Sequence, residues 1–153
     1  MEYRKANIDD IDSLIKNRID MRKERENKSL ICNDEEFLHN TYNYFKEHIS
    51  DDSFIAWVAI NNGEIVATSG LCFYNVPPTH NNTTGRIAYI MNMYTQPDFR
   101  KRGIASKLLE YLVDEVKLRN CKKITLNASQ MGRTIYKKYG FEDVNDSMVF
   151  YIE

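Results

Sequence analysis

The chain has 153 residues, 42% hydrophobic and 28% charged, with a formal net charge of −1. This predicts one globular domain over residues 1–153, with enough apolar side chains for a core that needs neither disulfides nor metal. It excludes a general electrostatic affinity for nucleic acid or anionic membrane, and no apolar run nears the roughly 20 residues of a membrane span. Met1-Glu2-Tyr3-Arg4-Lys5-Ala6 has no secretory apolar core. Cys32, Cys72 and Cys121 are far apart, as are His39, His48 and His80, and none has metal-pair spacing. Reduced thiols, no metal and a cytoplasmic location are expected.

Tyr3-Arg4-Lys5-Ala6 reads as a short strand, and Asn7 or Asp9 can cap the helix that follows. Ile11, Leu14, Ile15, Ile19 and Met21 recur at helical spacing. The mixed run Arg22-Lys23-Glu24-Arg25-Glu26 reads as a solvated helix end. A second helix is predicted from Asp34 to about His48, burying Leu38, Tyr42 and Phe45. Ser53 to Ile60 and Ile65 to Tyr74 are strands, joined by the turn Asn61-Asn62-Gly63-Glu64. Pro77 to Gly85 is a polar loop.

Arg86 to Thr95 is apolar enough for a central strand, and Pro97 ends it. Ile104, Leu108, Leu109, Leu112, Val113 and Val116 mark a helix. Lys123 to Asn127 is a strand, and a helix from Met131 to Lys138 ends at Gly140. Phe141 to Ile152 is expected to form one or two closing strands, with Val149-Phe150-Tyr151-Ile152 the stronger part. The order β-α-α-β-β-β-α-β-α-β-β gives an α/β (α+β) fold with a mixed sheet between helices.

The densest chemistry lies in Tyr94-Thr95-Gln96-Pro97-Asp98-Phe99-Arg100-Lys101-Arg102-Gly103-Ile104-Ala105. A strand ends, the chain turns, and a helix begins at Gly103 beside three basic residues. First-turn N–H groups lack partners within a helix and sit at its positive end. They can seat a pyrophosphate, and Gly103 admits close approach to the backbone. The same features also begin helices that bind nothing. The segment lacks a Walker GKS/T ending and the three glycines of a dinucleotide fingerprint.

Arg100-Lys101-Arg102-Gly103-Ile104-Ala105 resembles the Q/R-x-x-G-x-G/A signature of the GNAT N-acetyltransferases, and Ile135-Tyr136-Lys137-Lys138-Tyr139-Gly140-Phe141 resembles the closing segment of that family. The element order fits along nearly the whole chain. The resemblance implies a mixed, mostly antiparallel central sheet, acetyl-CoA as cosubstrate, and an amine acceptor. It implies that Met93, Tyr94 and Thr95 contact the pantetheine arm through their backbone. Backbone N–H groups of Lys101, Arg102, Gly103, Ile104, Ala105 and Ser106 would hold the pyrophosphate. Asn127 would touch the arm or else serve as a strand-end cap. It also allows a homodimer paired through C-terminal strands.

Tyr136 would be the catalytic acid, since a phenol with a pKa near 10 is protonated at neutral pH. Among ten tyrosines a core role competes, and the family match favours catalysis. Tyr139 then packs beside Phe141. Arg86 to Thr95 contains no carboxylate, so the strand supplies no base. Glu24, Glu35, Glu36 and Tyr89 are conceivable, and deprotonation through water is the default. The acceptor, small molecule or peptide, is not encoded legibly. Two alternatives remain: an acetyl-CoA sensor without turnover, and nucleic-acid binding through Arg100-Lys101-Arg102.

Overall fold

The computed structural model describes residues 1–25, 35–144 and 148–152. In chain order the elements are β1 (Glu2–Lys5), α1 (Ile11–Arg25), α2 (Glu35–Ser50), β2 (Phe54–Asn61), β3 (Glu64–Asn75), β4 (Arg86–Thr95), α3 (Ile104–Leu118), β5 (Lys123–Leu126) and α4 (Arg133–Tyr139). Single 3-10 turns precede α1 and α3. The strands form one sheet in the order β1-β2-β3-β4-β5. Neighbours are antiparallel except β4 and β5, which run parallel. A parallel pair needs a long crossover, and α3 provides it.

Local chemistry explains the joints. Asn62 and Gly63 hold φ of 51° and 82°, the left-handed pair that a two-residue hairpin turn requires. The Asn7 side chain accepts from the Asp9 N–H at 2.8 Å, and the Asp10 carboxylate accepts from the Asn7 N–H at 2.9 Å. Arg4 grips the same carboxylate at 2.6 and 2.9 Å, fixing the entry into α1 to the end of β1.

Alternation along β2 sorts its side chains to two faces. Ile55 joins Leu71, Ala88 and Ile90 beneath Leu109, Leu112, Val113 and Val116 of α3, with Tyr136 of α4. Phe54, Ala56 and Val58 face Ile11 and Leu14 of α1 and Phe45 of α2. The result is the expected α+β arrangement, a mixed, mostly antiparallel sheet between helices.

Three expectations are corrected. Tyr42 is 41% exposed rather than buried. The sheet-facing stripe of α2 runs through Leu38, Thr41, Phe45 and Ile49, and Thr41 is accommodated because its hydroxyl donates to the Phe37 carbonyl at 2.7 Å. The end of α1 is not simply solvated: the Arg22 guanidinium lies 6.0 Å from the Phe37 ring centroid, and Glu24 makes the contacts described below. Glu26 lies outside the described residues.

The third correction concerns the tail. Residues 141–144 and 148–152 form no strand. Strand propensity becomes a strand only against a paired edge and a covered face. Here Val149, Phe150, Tyr151 and Ile152 are 74–89% exposed.

Candidate active site

Residues Ile87–Ile90 of β4 pair with Lys123–Leu126 of β5, and pairing stops there. From Met91 to Thr95 the β5 side of β4 carries no strand, so the two chains splay apart. Backbone N–H and C=O groups on an unpaired edge are available to an extended ligand.

The same stretch is bulged. Opposite Thr68, Ser69 and Gly70, the β4 partners are Tyr94 and Met91 for the outer two, leaving Asn92 and Met93 against one residue. Asn92 has φ of 54°, a conformation that asparagine tolerates better than most residues. Arg18 of α1 donates to the Asn92 side-chain oxygen, and the Asn92 carbonyl accepts from the Thr68 hydroxyl at 3.1 Å. The bulge reverses the alternation. Met93 packs towards α3, while the Tyr94 hydroxyl donates to Glu24 of α1 at 3.1 Å.

After β4 the chain wraps tightly into α3. Lys101 and Gly103 have φ of 60° and 77°, and Gly103 is the helix N-cap with no side-chain cap. Such alternating conformations form a concave nest of N–H groups, continued by the free first-turn donors of Ile104, Ala105 and Ser106. A Cβ on Gly103 would meet nothing within 4 Å, so the space above the nest is open. Thr95 Oγ1, at the strand end, is buried with no partner among the described residues. An open nest and an orphaned donor beside a splayed strand edge suit a long ligand with a pyrophosphate.

The three basic residues behave differently from one another. Arg102 donates to the Asp98 carbonyl at 2.8 Å and lies over the Phe99 ring, whereas Lys101 points outward, exposed. Arg100 donates from Nε to the Thr95 carbonyl at 2.8 Å, and one terminal nitrogen bonds both Glu24 oxygens at 2.8 and 2.7 Å. The basic triplet is thus largely engaged within the protein.

Tyr136, on α4, is 8% exposed, meets the Phe141 ring edge-on and belongs to the core cluster that includes Ile90, against which Met93 and Leu126 also pack. Burial pushes its hydroxyl up to about 12, with the Arg25 charge at the end of α1 pulling the other way. Tyr94 is also pushed up to about 12, by burial first and then by its bond to Glu24. Both phenols are therefore donors at neutral pH. Tyr139 is 41% exposed beside Phe141. Asn127, just past β5, donates its side-chain amide to the Tyr89 hydroxyl at 3.0 Å on the α1–α2 face.

Met93, Tyr94, Thr95, the nest from Lys101 to Ser106 and Tyr136 therefore converge on one end of the sheet. Glu24, 70 residues from Tyr94 and 76 from Arg100, joins them with no local motif to announce it. A separate concavity of about 330 Å³ lies at the opposite end of β4, lined by Asp52, Ser53, Phe73, Asn75 and Arg86. Ser53 there hydrogen-bonds both His48 and Asp51, which closes the α2–β2 turn and leaves no poised nucleophile.

Comparison with known proteins defines the class. The profile of the Acetyltransferase (GNAT) family matches residues 20–141. A predicted acetyltransferase from Clostridium acetobutylicum, solved with acetyl-CoA, is 39% identical, with a TM-score of 0.84 over 98% of this chain and 95% of that one. A GCN5-related N-acetyltransferase from Ralstonia eutropha is 26% identical, with a TM-score of 0.84 over 99% and 97%. A ribosomal-protein-alanine N-acetyltransferase from Brucella melitensis, 20% identical with a TM-score of 0.72 over 99% of this chain and 100% of that one, shares the fold. The chain belongs to the GNAT acetyltransferase family, whose activity is acetyl transfer.

Proposed function

We propose that residues 1–153 form an N-acetyltransferase domain that moves the acetyl group of acetyl-CoA onto a primary amine of a small molecule or peptide. The observation that carries this is the convergence of an open N–H nest at Gly103, an unpaired β4 edge and a buried phenol. Backbone groups of Met93, Tyr94 and Thr95 hold the pantetheine arm, and those of Lys101, Arg102, Gly103, Ile104, Ala105 and Ser106 hold the pyrophosphate. Asn127 borders the arm from β5. The cosubstrate supplies an activated acyl carbon and a thiolate leaving group.

Tyr136 assists departure of the thiolate. Full proton transfer from a phenol at about 12 to a thiolate of pKa about 8.5 is uphill by about 5 kcal/mol. Tyr136 therefore acts as a hydrogen-bond donor to the developing negative charge on sulfur, the kind of fixed dipole that lowers a barrier most in a dry site.

Nucleic-acid binding is disfavoured because Arg100 and Arg102 already have partners within the fold. Cys72 and Cys121 as free thiols are consistent with a cytoplasmic location. A homodimer belongs to the same reading, since a second copy would cover the exposed apolar side chains of Met148–Ile152.

Calorimetry with acetyl-CoA, using adenosine 3′,5′-bisphosphate as fragment control, tests the cofactor. Micromolar binding, tighter than the fragment, is expected, and no binding by folded protein refutes the proposal. A thiol-release assay with spermidine, an aminoglycoside, glucosamine 6-phosphate and an alanyl peptide tests turnover. Binding with no acetyl transfer would favour a sensor. Tyr136→Phe should keep acetyl-CoA affinity and lower kcat by about 10–1000-fold; unchanged kcat removes Tyr136 from catalysis.

A further inference from the structure

The central strand at the splay, Arg86 to Thr95, holds no carboxylate. A carboxylate nevertheless reaches the site from another element. Glu24, in the last turn of α1, lies beside Tyr94, just past the bulge, and Arg100, just before the nest. Resting on the acetyltransferase reading above, we propose that Glu24 is the catalytic base, taking the proton of the attacking nitrogen.

The geometry supports this in three ways. The carboxylate is held from two sides, by the Tyr94 hydroxyl at 3.1 Å and by one Arg100 nitrogen at 2.8 and 2.7 Å. Because a single guanidinium nitrogen serves both oxygens, the carboxylate keeps lone-pair capacity for another donor. Its side chain is 36% exposed, so a proton it receives can pass to water. The bulge turns Tyr94, and with it Glu24, to the α1–α2 side of the sheet, opposite the α3 side where Met93 and Tyr136 pack. Donor and acceptor would thus meet across the splay.

The step balances as follows. An ammonium loses its first proton to solvent. The lone pair of the neutral amine attacks the thioester carbonyl carbon, a C–N bond forms, and the C–S bond breaks with its electron pair going to sulfur. The nitrogen, made acidic by its new bond, gives its second proton to Glu24, which releases it to water. The thiolate leaves with a hydrogen bond from Tyr136. Among the described residues, the charged and titratable groups around this centre include Asp20 and Arg25 on α1, Tyr94 on β4, Arg100 in the turn and Tyr136 on α4.

Glu24→Gln keeps an oxygen for Tyr94 and Arg100 but cannot take a proton. With the amine that the wild type acetylates fastest among the four named above, its kcat should fall about 100-fold, with acetyl-CoA affinity within threefold. Glu24→Ala should be equally slow, and sodium formate, a carboxylate small enough for the vacated space, should restore at least tenfold. Full activity in Glu24→Gln overturns the proposal, as does a loss that formate leaves untouched or that tracks lost acetyl-CoA binding or lower melting temperature. A wild type that binds acetyl-CoA and acetylates none of the four defeats the acetyltransferase reading itself, a result distinct from an active wild type with an active variant.

Discussion

The two faces of the sheet are built differently. Beneath α3, seven helix residues from Ile104 to Val116 are buried, six of them apolar, and they close a continuous core over β2, β3 and β4. Beneath α1 and α2 the buried helix residues are Ile11, Leu14, Asn17 and Phe45, and Asn17 keeps a buried side-chain oxygen without a partner among the described residues. The first face presents the nest and the splayed edge from a rigid base. The second meets the edge through polar contacts of Arg18 and Glu24. On the proposed reading, a common donor needs a site fixed in shape, which backbone groups on packed elements would provide, and an acceptor would be recognised by side chains on elements whose packing tolerates change.

The largest test of this contrast is Leu112→Ala, at a position 0% exposed under α3. It should cost about 2–5 kcal/mol in urea unfolding. Tyr42→Ala on the outer side of α2 should stay within about 0.5 kcal/mol. Similar costs at both would erase the distinction.

Next in size is Gly103→Val. The added side chain enters the open space over the nest and strains a backbone at φ of 77°, costing about 1–2 kcal/mol of stability. Calorimetry should show acetyl-CoA affinity falling more than tenfold. Unchanged affinity in folded protein would move the pyrophosphate elsewhere.

Asp10→Asn probes the anchor of α1 and should cost about 1 kcal/mol at neutral pH. The hydrogen bonds from Arg4 hold the Asp10 carboxyl below its ordinary value. Its contribution is therefore fully present above the unfolded pKa of about 3.9 and is lost as pH falls through the lower folded value. Urea midpoints measured between pH 7 and 3 should draw closer together for variant and wild type towards the acid end. A constant gap would assign the role of Asp10 to shape rather than charge.

The α3 side of the site was legible because its signals are local. Pro97 and Gly103 bracket the turn, the leucines of α3 repeat at helical spacing, and Gly140, with φ of 114°, ends α4 where a C-terminal glycine should. The α1–α2 side was not, for physical reasons. Tyr42 and Thr41 are neighbours, and spacing alone favours the larger apolar residue, although the helix turns the threonine inward. Glu24 looked like one more charge on a solvated end, because contacts spanning 70 and 76 residues leave no trace in local pattern. The closing strand was expected from β-branched and aromatic composition, which cannot report whether an edge is there to receive it.

The bulge at Asn92 has a consequence for how this chain can change over generations. Replacing most residues in β4 alters one contact, but a side chain at position 92 that abandoned the φ of 54° and paired in regular register would exchange the chambers of everything after it. Tyr94 would enter the packed layer under α3, and Met93 would face Glu24. Substitutions can therefore accumulate along most of this strand while those at Asn92 are purged, and a residue that tolerates the left-handed backbone there should be a stricter inheritance than its neighbours.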